Sequence, residues 1–274
     1  MTIDNKKLRG LRSSDNVLLK LNRYKRVELL RSPSHLPFIR KRYSGHSEED
    51  LKKNTRHDYH ALAFLKQSFS DVIHTPTVLS WDPEKHEVTM EFLPELASAD
   101  PIGFHNINAT RPFFDRCYSV DNGGEFLDSM RDSVLASPSI VRLIDCGFPL
   151  ALGFKGDFRD NAGILNGKPI IADIETMCLE PMGLTELVVY GQCFASWKIY
   201  PTLKAIICRV PVPIAWQDMT HEQAQAVTSA SLELLSLKMA HLPNAIRKLK
   251  VFAARWGLSY LLARQFVVSQ PTNR

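Results

Sequence analysis

Short alternating runs dominate the first third of the chain. Val17-Leu18-Leu19-Lys20-Leu21, Arg26-Val27-Glu28-Leu29-Leu30 and Phe38-Ile39-Arg40-Lys41-Arg42-Tyr43 are bounded by polar or Pro/Ser turns, and each predicts a strand. The period then changes. Ser47 suits a helix cap, and Glu48, Glu49 and Asp50 fill a first turn where the helix dipole favours acids. Leu51 to Gln67 runs on without Gly or Pro, predicting a helix. Thr77-Val78-Leu79-Ser80-Trp81, between Pro76 and Asp82-Pro83, and Glu87 to Leu93, stopped by Pro94, predict two more strands. Ala97 to Gly124 has little pattern and much Asn, Gly and Pro, so it reads as a long loop.

Later, Leu150 to Phe154 leads into a Gly-Asp turn, and Ile164-Leu165 is joined to Pro169-Ile170-Ile171-Ala172 through Asn166-Gly167, a strong hairpin signal. Glu125 to Leu135, Ser139 to Ile144, Leu184 to Ile199, His221 to Ala240 and Ala245 to Phe266 carry helical patterns. Strands first and helices later predict an α+β chain of two lobes. The boundary is placed at Pro94, with an N-lobe over 1–93 and a C-lobe over 94–274.

Composition narrows this picture. The 274 residues hold 45% apolar and 23% charged side chains, ordinary for a globular protein with ample core. No apolar run is long enough to span a bilayer, and Met1 to Lys6 lacks a signal peptide's apolar stretch. The five cysteines include no C-x-x-C pair, which argues against zinc and a disulfide framework and suits a reducing cytoplasm. The net charge of +5 is concentrated at the ends: twelve Lys and Arg precede residue 45, and no acid follows Glu233. Such ends can face nucleotide phosphates, a membrane surface or a nucleic acid, or simply be solvated.

The chemistry concentrates on two connections. Asp157, in Lys155-Gly156-Asp157-Phe158, and Asp173, in Asp173-Ile174-Glu175, follow neighbouring strand-like runs. A scaffold that brought both carboxylates together would need a cation between them, most simply a divalent metal. A second pair lies upstream. Leu51, Thr55, Asp58, Leu62 and Leu65 share one helical face, so Asp58 points inward and needs a partner. On the preceding strand Ile39 and Lys41 point one way, Arg40 and Arg42 the other. With Ile39 inside, Lys41 is delivered to Asp58; the plainer reading leaves Asp58 at the stripe's margin.

Taken together, Ile39-Arg40-Lys41, Asp58, Met90-Glu91-Phe92-Leu93-Pro94, Gly156-Asp157-Phe158 and Asp173-Ile174-Glu175 follow the order of the protein-kinase-like superfamily. The chain resembles its small-molecule and glycolipid branch: aminoglycoside and choline phosphotransferases and lipopolysaccharide core kinases. The resemblance covers Val17 to Glu175; the later helices agree only in kind. It implies a two-lobed kinase-like fold that uses ATP with Mg²⁺ or Mn²⁺. Lys41 would hold phosphates, positioned by Asp58. Met90 would pack behind the adenine, with the backbone of Glu91 and Phe92 hydrogen-bonding it. Asp157 would take the acceptor hydroxyl's proton, Asp173 would bind metal, and Glu175 would hold a second metal or order the loop.

The departures are specific. No glycine lies between Leu11 and Tyr43, so the turn near Asn22-Arg23-Tyr24 lacks the residues that let backbone approach phosphates. Charge from Arg23, Lys25 or Arg26 could replace it. Lys155 and Asp58 stand where the family has His and Glu. Ala162 occupies the place of a metal-binding Asn, and Asn161 falls one residue early, with Asp160 in reserve. Either Asn161 reaches the metal or a ligand has been lost.

The leading expectation is therefore ATP-dependent phosphorylation of a hydroxyl on a sugar, glycolipid or other small molecule. The alternative is a pseudokinase that binds nucleotide or acts as a scaffold without turnover. His57 and His60 have no third ligand nearby in sequence, and there is no G-x-S-x-G, G-x-x-x-x-G-K-[ST] or G-x-G-x-x-G. The last helix aligns Ile246, Leu249, Phe252, Ala253, Trp256 and Tyr260. Its plainer reading is a packing face; its sharper one is a basic amphipathic surface on anionic lipid, at the inner face of the membrane. Nucleic acid fits poorly, because aromatics do not interleave with the basic clusters.

Overall fold

The computed structural model describes residues 17–21, 23–32, 35–119, 137–155, 158–171, 173–196 and 209–267. They form two compact units. One runs to Pro101 and includes Asp160–Glu175; the other comprises Ile102–Arg159 and Thr176 onward.

The first unit is built on an antiparallel sheet of β1 (Val17–Leu21), β2 (Lys25–Ser32), β3 (His35–Tyr43), β4 (Val78–Asp82) and β5 (Glu87–Glu91), in the order β1-β2-β3-β5-β4. Val27 pairs with Lys41, Leu29 with Ile39, Lys41 with Val88 and Ile39 with Met90. Alternation sends Lys25, Val27, Leu29, Ile39, Lys41, Tyr43, Val88 and Met90 to one buried face. The other face carries charge: the Arg40 and Arg26 guanidiniums donate to Glu28, and Arg42 pairs with Glu87.

Helix α1 (Glu48–Phe69) starts where Ser47 accepts the Asp50 N–H and its first turn holds three acids. Leu51, Thr55, Asp58, Ala61, Leu62, Leu65 and Phe69 form its buried stripe. Burying each large apolar residue of that stripe contributes roughly 1.5–3 kcal/mol, enough to hold one polar member, Asp58, under the sheet. After α1 the chain is tied by His74: its N–H donates to Pro169 and its carbonyl accepts from Ile171, both at 2.8 Å. That fastens a small sheet of β6 (Asp100–Pro101), β8 (Ala162–Leu165) and β9 (Lys168–Ile171). The β8–β9 turn is Asn166-Gly167, both at positive φ, as a two-residue hairpin requires.

In the second unit, α2 (Arg111–Tyr118) and α3 (Pro138–Asp145) accompany a ladder of β7 (Leu150–Phe154) with β10 (Met177–Pro181). After β7, Phe158 and Arg159 begin a short helix, α4 (Phe158–Asn161), whose last two residues belong to the first unit. Helices α5 (Leu184–Phe194), α6 (His221–Lys238) and α7 (Asn244–Val267) pack around Leu187, Tyr190, Trp216, Val227, Leu235 and Leu258. Thr220 and Gln223 close a capping box on α6. Gly257 of α7 meets the Phe194 ring so closely that a Cβ would collide with it, and Gly191 faces Ala254 and Leu258.

Two sequence expectations change here, and one strand carried no sequence signal. The segment Ala97–Gly124 is not one loop: 3₁₀ turns occupy Pro94–Ser98 and Ile107–Thr110, and α2 follows. Phe113 drives that helix, stacking on Phe158 with centroids 5.2 Å apart. Strand β10, Met-Cys-Leu-Glu-Pro, was hidden by its Glu and Pro, yet all five residues are buried. On α7 the aromatic stripe does not pack. Ala254, Leu258, Leu261 and Leu262 are buried, while Ile246, Leu249, Phe252, Trp256 and Tyr260 are exposed. Ala254 and Gly257 on the buried side let α5 come close. The helix expected over Glu125–Leu135 lies outside the described residues.

Candidate functional site

The inner face of the first unit's sheet ends in a buried set of charges. Lys41, only 1% exposed, is held between two carboxylates: its Nζ lies 3.3 Å from Asp58 Oδ2 and 3.0 Å from Asp173 Oδ1. Lys25 reaches the other side of Asp173, 3.3 Å from Oδ2, and also pairs with Glu175. The Tyr43 hydroxyl donates to Asp58 Oδ2 at 2.6 Å. Among the described residues nothing hydrogen-bonds the buried Asp58 Oδ1.

Each member is placed by a simple device. Lys25, Lys41 and Tyr43 sit on inward positions of paired strands, Lys25 directly opposite Tyr43. Asp58 comes from the stripe of α1. Asp173 is delivered by β9, two residues after Ile171, whose N–H is fixed to His74. A cavity of about 270 Å³ opens beside the set, lined by Lys25, Tyr43, Asn54, His57, Asp58 and Glu175, with Tyr24 and His46.

Mutual attraction outweighs desolvation in this cluster. Burial alone would drive the Lys41 pKa down, but Asp173, Asp58 and Glu175 raise it above the ordinary lysine value. Burial would raise the Asp173 pKa, but Lys41 and Lys25 carry it below the usual carboxylate range. Lys41 is therefore cationic and Asp173 anionic across the physiological range. Burial, with Asp58 next, pushes the Tyr43 phenol well above its usual value, so it remains a hydrogen-bond donor.

Of the residues singled out in the sequence, Lys41, Asp58 and Asp173 are in contact, and Glu175 joins them through Lys25. Met90 is buried opposite Ile39. The Glu91 N–H is spent on the Thr77 carbonyl at 2.8 Å, and its carboxylate accepts from Thr77 N and Oγ1. Phe92 follows the end of β5, half-buried. Asn161 closes α4 and is partly exposed. Asp157 lies outside the described residues.

Lys25 and Tyr43 were not singled out as members of this cluster. Strand parity would have found them: each is two residues from an inward position, Val27 and Lys41 respectively.

Among the described residues, the carboxylates do not fit a divalent ion while the lysines hold them. Both oxygens of Asp173 already accept from ammonium groups, and Glu175 is engaged by Lys25. Among the described residues no three His, Cys, Asp or Glu side chains are grouped to hold an ion.

The chain is similar in fold to solved kinases. It is similar to choline kinase LicA from Streptococcus pneumoniae, with a TM-score of 0.50 and 11% identity over 94% of this chain and 97% of that one. It is similar to ADP-bound aminoglycoside phosphotransferase APH(2'')-Ib, with a TM-score of 0.50 and 8% identity over 95% and 97% of the two chains. The chain shares the kinase-like fold of these two structures. No protein-family model and no curated protein matches the sequence. At such identities the kinase-like fold is shared while side chains are free to diverge, so roles within it rest on the local geometry.

Proposed function

We propose that this protein binds ATP and transfers its terminal phosphoryl group to a hydroxyl of a small molecule or glycolipid. The observation that carries the reading is the buried Lys41–Asp58–Asp173 cluster within a kinase-like fold. Phosphoryl transfer asks for positioning and charge neutralisation more than for covalent chemistry. Lys41, held by two carboxylates, is a rigid cation for phosphate oxygens. In the proposed step Asp157 accepts the acceptor's hydroxyl proton, the acceptor oxygen bonds to the γ-phosphorus, and the bond to the β-phosphate oxygen breaks to leave ADP. Neutralisation in that step falls to the lysines, since the carboxylates do not suit a metal while both ammonium groups hold Asp173.

Thermal-shift measurement with ATP, followed by phosphate transfer to a panel of sugars, amino alcohols and glycolipids, tests the reading. Lys41→Met is expected to lose the ATP shift, and Asp157→Ala to keep it while losing transfer. Normal transfer by Asp157→Ala would remove that residue from the mechanism. A second reading has its own support: with both Asp173 oxygens committed, a nucleotide-binding module without turnover is the alternative. An ATP shift with no transfer to any acceptor would favour it.

The glycolipid end of the acceptor range is supported by α7. Phe252, Trp256 and Tyr260 are exposed on one side of it, Lys248 and Arg255 are exposed beside them, and no acid follows Glu233. Aromatics flanked by cations suit an anionic bilayer surface. No helix among the described residues is long and apolar enough to cross a membrane. Flotation with phosphatidylglycerol vesicles, but not with neutral ones, is expected for the parent protein and lost in Phe252→Ser/Trp256→Ser. Equal flotation with both vesicle types would remove the electrostatic part of this reading.

A further inference from the structure

We infer that Lys25 is a built-in cation that holds the place of a divalent ion at Asp173 and Glu175. Its ammonium touches both carboxylates, and its side chain is 4% exposed. Two ammonium groups and three carboxylates, those of Asp58, Asp173 and Glu175, make up the set. Without Lys25 the acids would outnumber the cations by two, the excess a divalent ion corrects. With Lys25 present, a metal ion at Asp173 would have to displace one ammonium or be buried against it.

The backbone makes displacement difficult. The turn before Lys25 is pinned to the segment before α1: Tyr24 stacks on His46 at 4.6 Å, and Ser44 N–H donates to the Tyr24 carbonyl at 2.9 Å. Gly45, at φ +74°, lies so close to Arg23 that a Cβ there would press on its carbonyl oxygen. The glycine-free turn is thus fastened down, and β2 starts at a fixed point. Rotation within the Lys25 side chain is then what would free Asp173 Oδ2, while Lys41 still holds Oδ1. A consequence, resting on the proposed ATP binding, is that the triphosphate binds here without a divalent metal, against the cations of Lys25 and Lys41.

The first experiment uses Mn²⁺ alone, with free ion read by electron paramagnetic resonance on the full-length protein. Wild type and Lys25→Arg are expected to leave Mn²⁺ free. Lys25→Met is expected to bind it at least about ten-fold more tightly, through the vacated Asp173 and Glu175. Mn²⁺ binding by wild type or Lys25→Arg, or no gain in a Lys25→Met protein with parental circular dichroism, would overturn the inference. Should Lys25→Met not fold, wild type and Lys25→Arg still decide it. The second experiment compares the ATP thermal shift in EDTA and in Mg²⁺: equal shifts are expected for wild type. A shift that requires Mg²⁺ would also overturn the inference. Absence of any ATP shift would defeat the proposed phosphotransferase while leaving the Mn²⁺ result to judge Lys25.

Discussion

The two units bury acids in opposite ways. In the first, Asp173 is neutralised by two lysines and stays ionised. In the second, Glu180 and Glu186 are buried among neutral donors. Glu180 Oε1 accepts from Thr185 N at 2.6 Å and from its hydroxyl, and Glu186 accepts from Ile214 N, Ala215 N and the Tyr118 hydroxyl. Burial pushes Glu180 up to about 8, the Thr185 hydrogen bonds only moderating it, and Glu186 is raised for the same first reason. Paired buried charge keeps ions in the interior at neutral pH. Unpaired buried carboxyls make a rivet between β10, α5 and the turn before Trp216.

The largest expected effect comes from breaking the ionised set. Asp173→Asn leaves Lys41 and Lys25 facing one carboxylate fewer each, and loss of about 3–5 kcal/mol is expected, measured by urea unfolding. A loss under about 1 kcal/mol would mean that the lysines relax to water and the set is not rigid.

Next is pH, where the units carry opposite signs. Asp173, lowered by its partners, adds stability above the unfolded carboxylate value of 3.8 that is lost as pH falls below it. Glu180, raised, contributes stability that is complete below 4.5 and drains away as pH climbs to about 8. In Glu180→Gln, the difference from the parent should therefore grow in the variant's favour between those values and then level off. Chemical denaturation at several pH values checks this, and a flat difference would show that Glu180 is ionised in the folded state.

Smaller effects sharpen the comparison. Tyr43→Phe removes one donor from the buried Asp58, and about 1–2 kcal/mol is expected, together with a weaker ATP shift if the cluster binds nucleotide. Arg42→Ala, on the sheet's solvent face, removes the exposed pair with Glu87 and should cost less than about 1 kcal/mol. Should Arg42 match Tyr43 in cost, burial would not be what separates the two faces.

The sequence announced the site where two periodicities agreed. Lys41 was visible from strand parity and Asp58 from the helical stripe, and each reading supported the other. Lys25 has no such signal, because the alternating run reads from Arg26 whereas the strand begins at Lys25. The α7 stripe failed for a different reason. That helix has two apolar sides, and ranking them by size selects the aromatic one, although Ala254 and Gly257 permit the closer approach. Helix α2 was missed because eight residues beginning Arg-Pro offer too few turns for a period to show. Glu180 and Glu186 carry no sequence signal: their partners are backbone groups that only the fold supplies.

The Asn166-Gly167 turn makes the site sensitive to chain length. Leu165 pairs with Lys168 and Ala162 with Ile171, with no slack between the strands. An added or deleted residue in that turn would invert Ile170 and Ile171 and turn the chain that follows away from both lysines. A lineage could lose the Asp173 and Glu175 contacts through one such indel while every charged residue remained in its sequence. In tracing relatives of this chain, the count of residues between Ile164 and Asp173 is therefore a more telling mark of a working site than the presence of the aspartate itself.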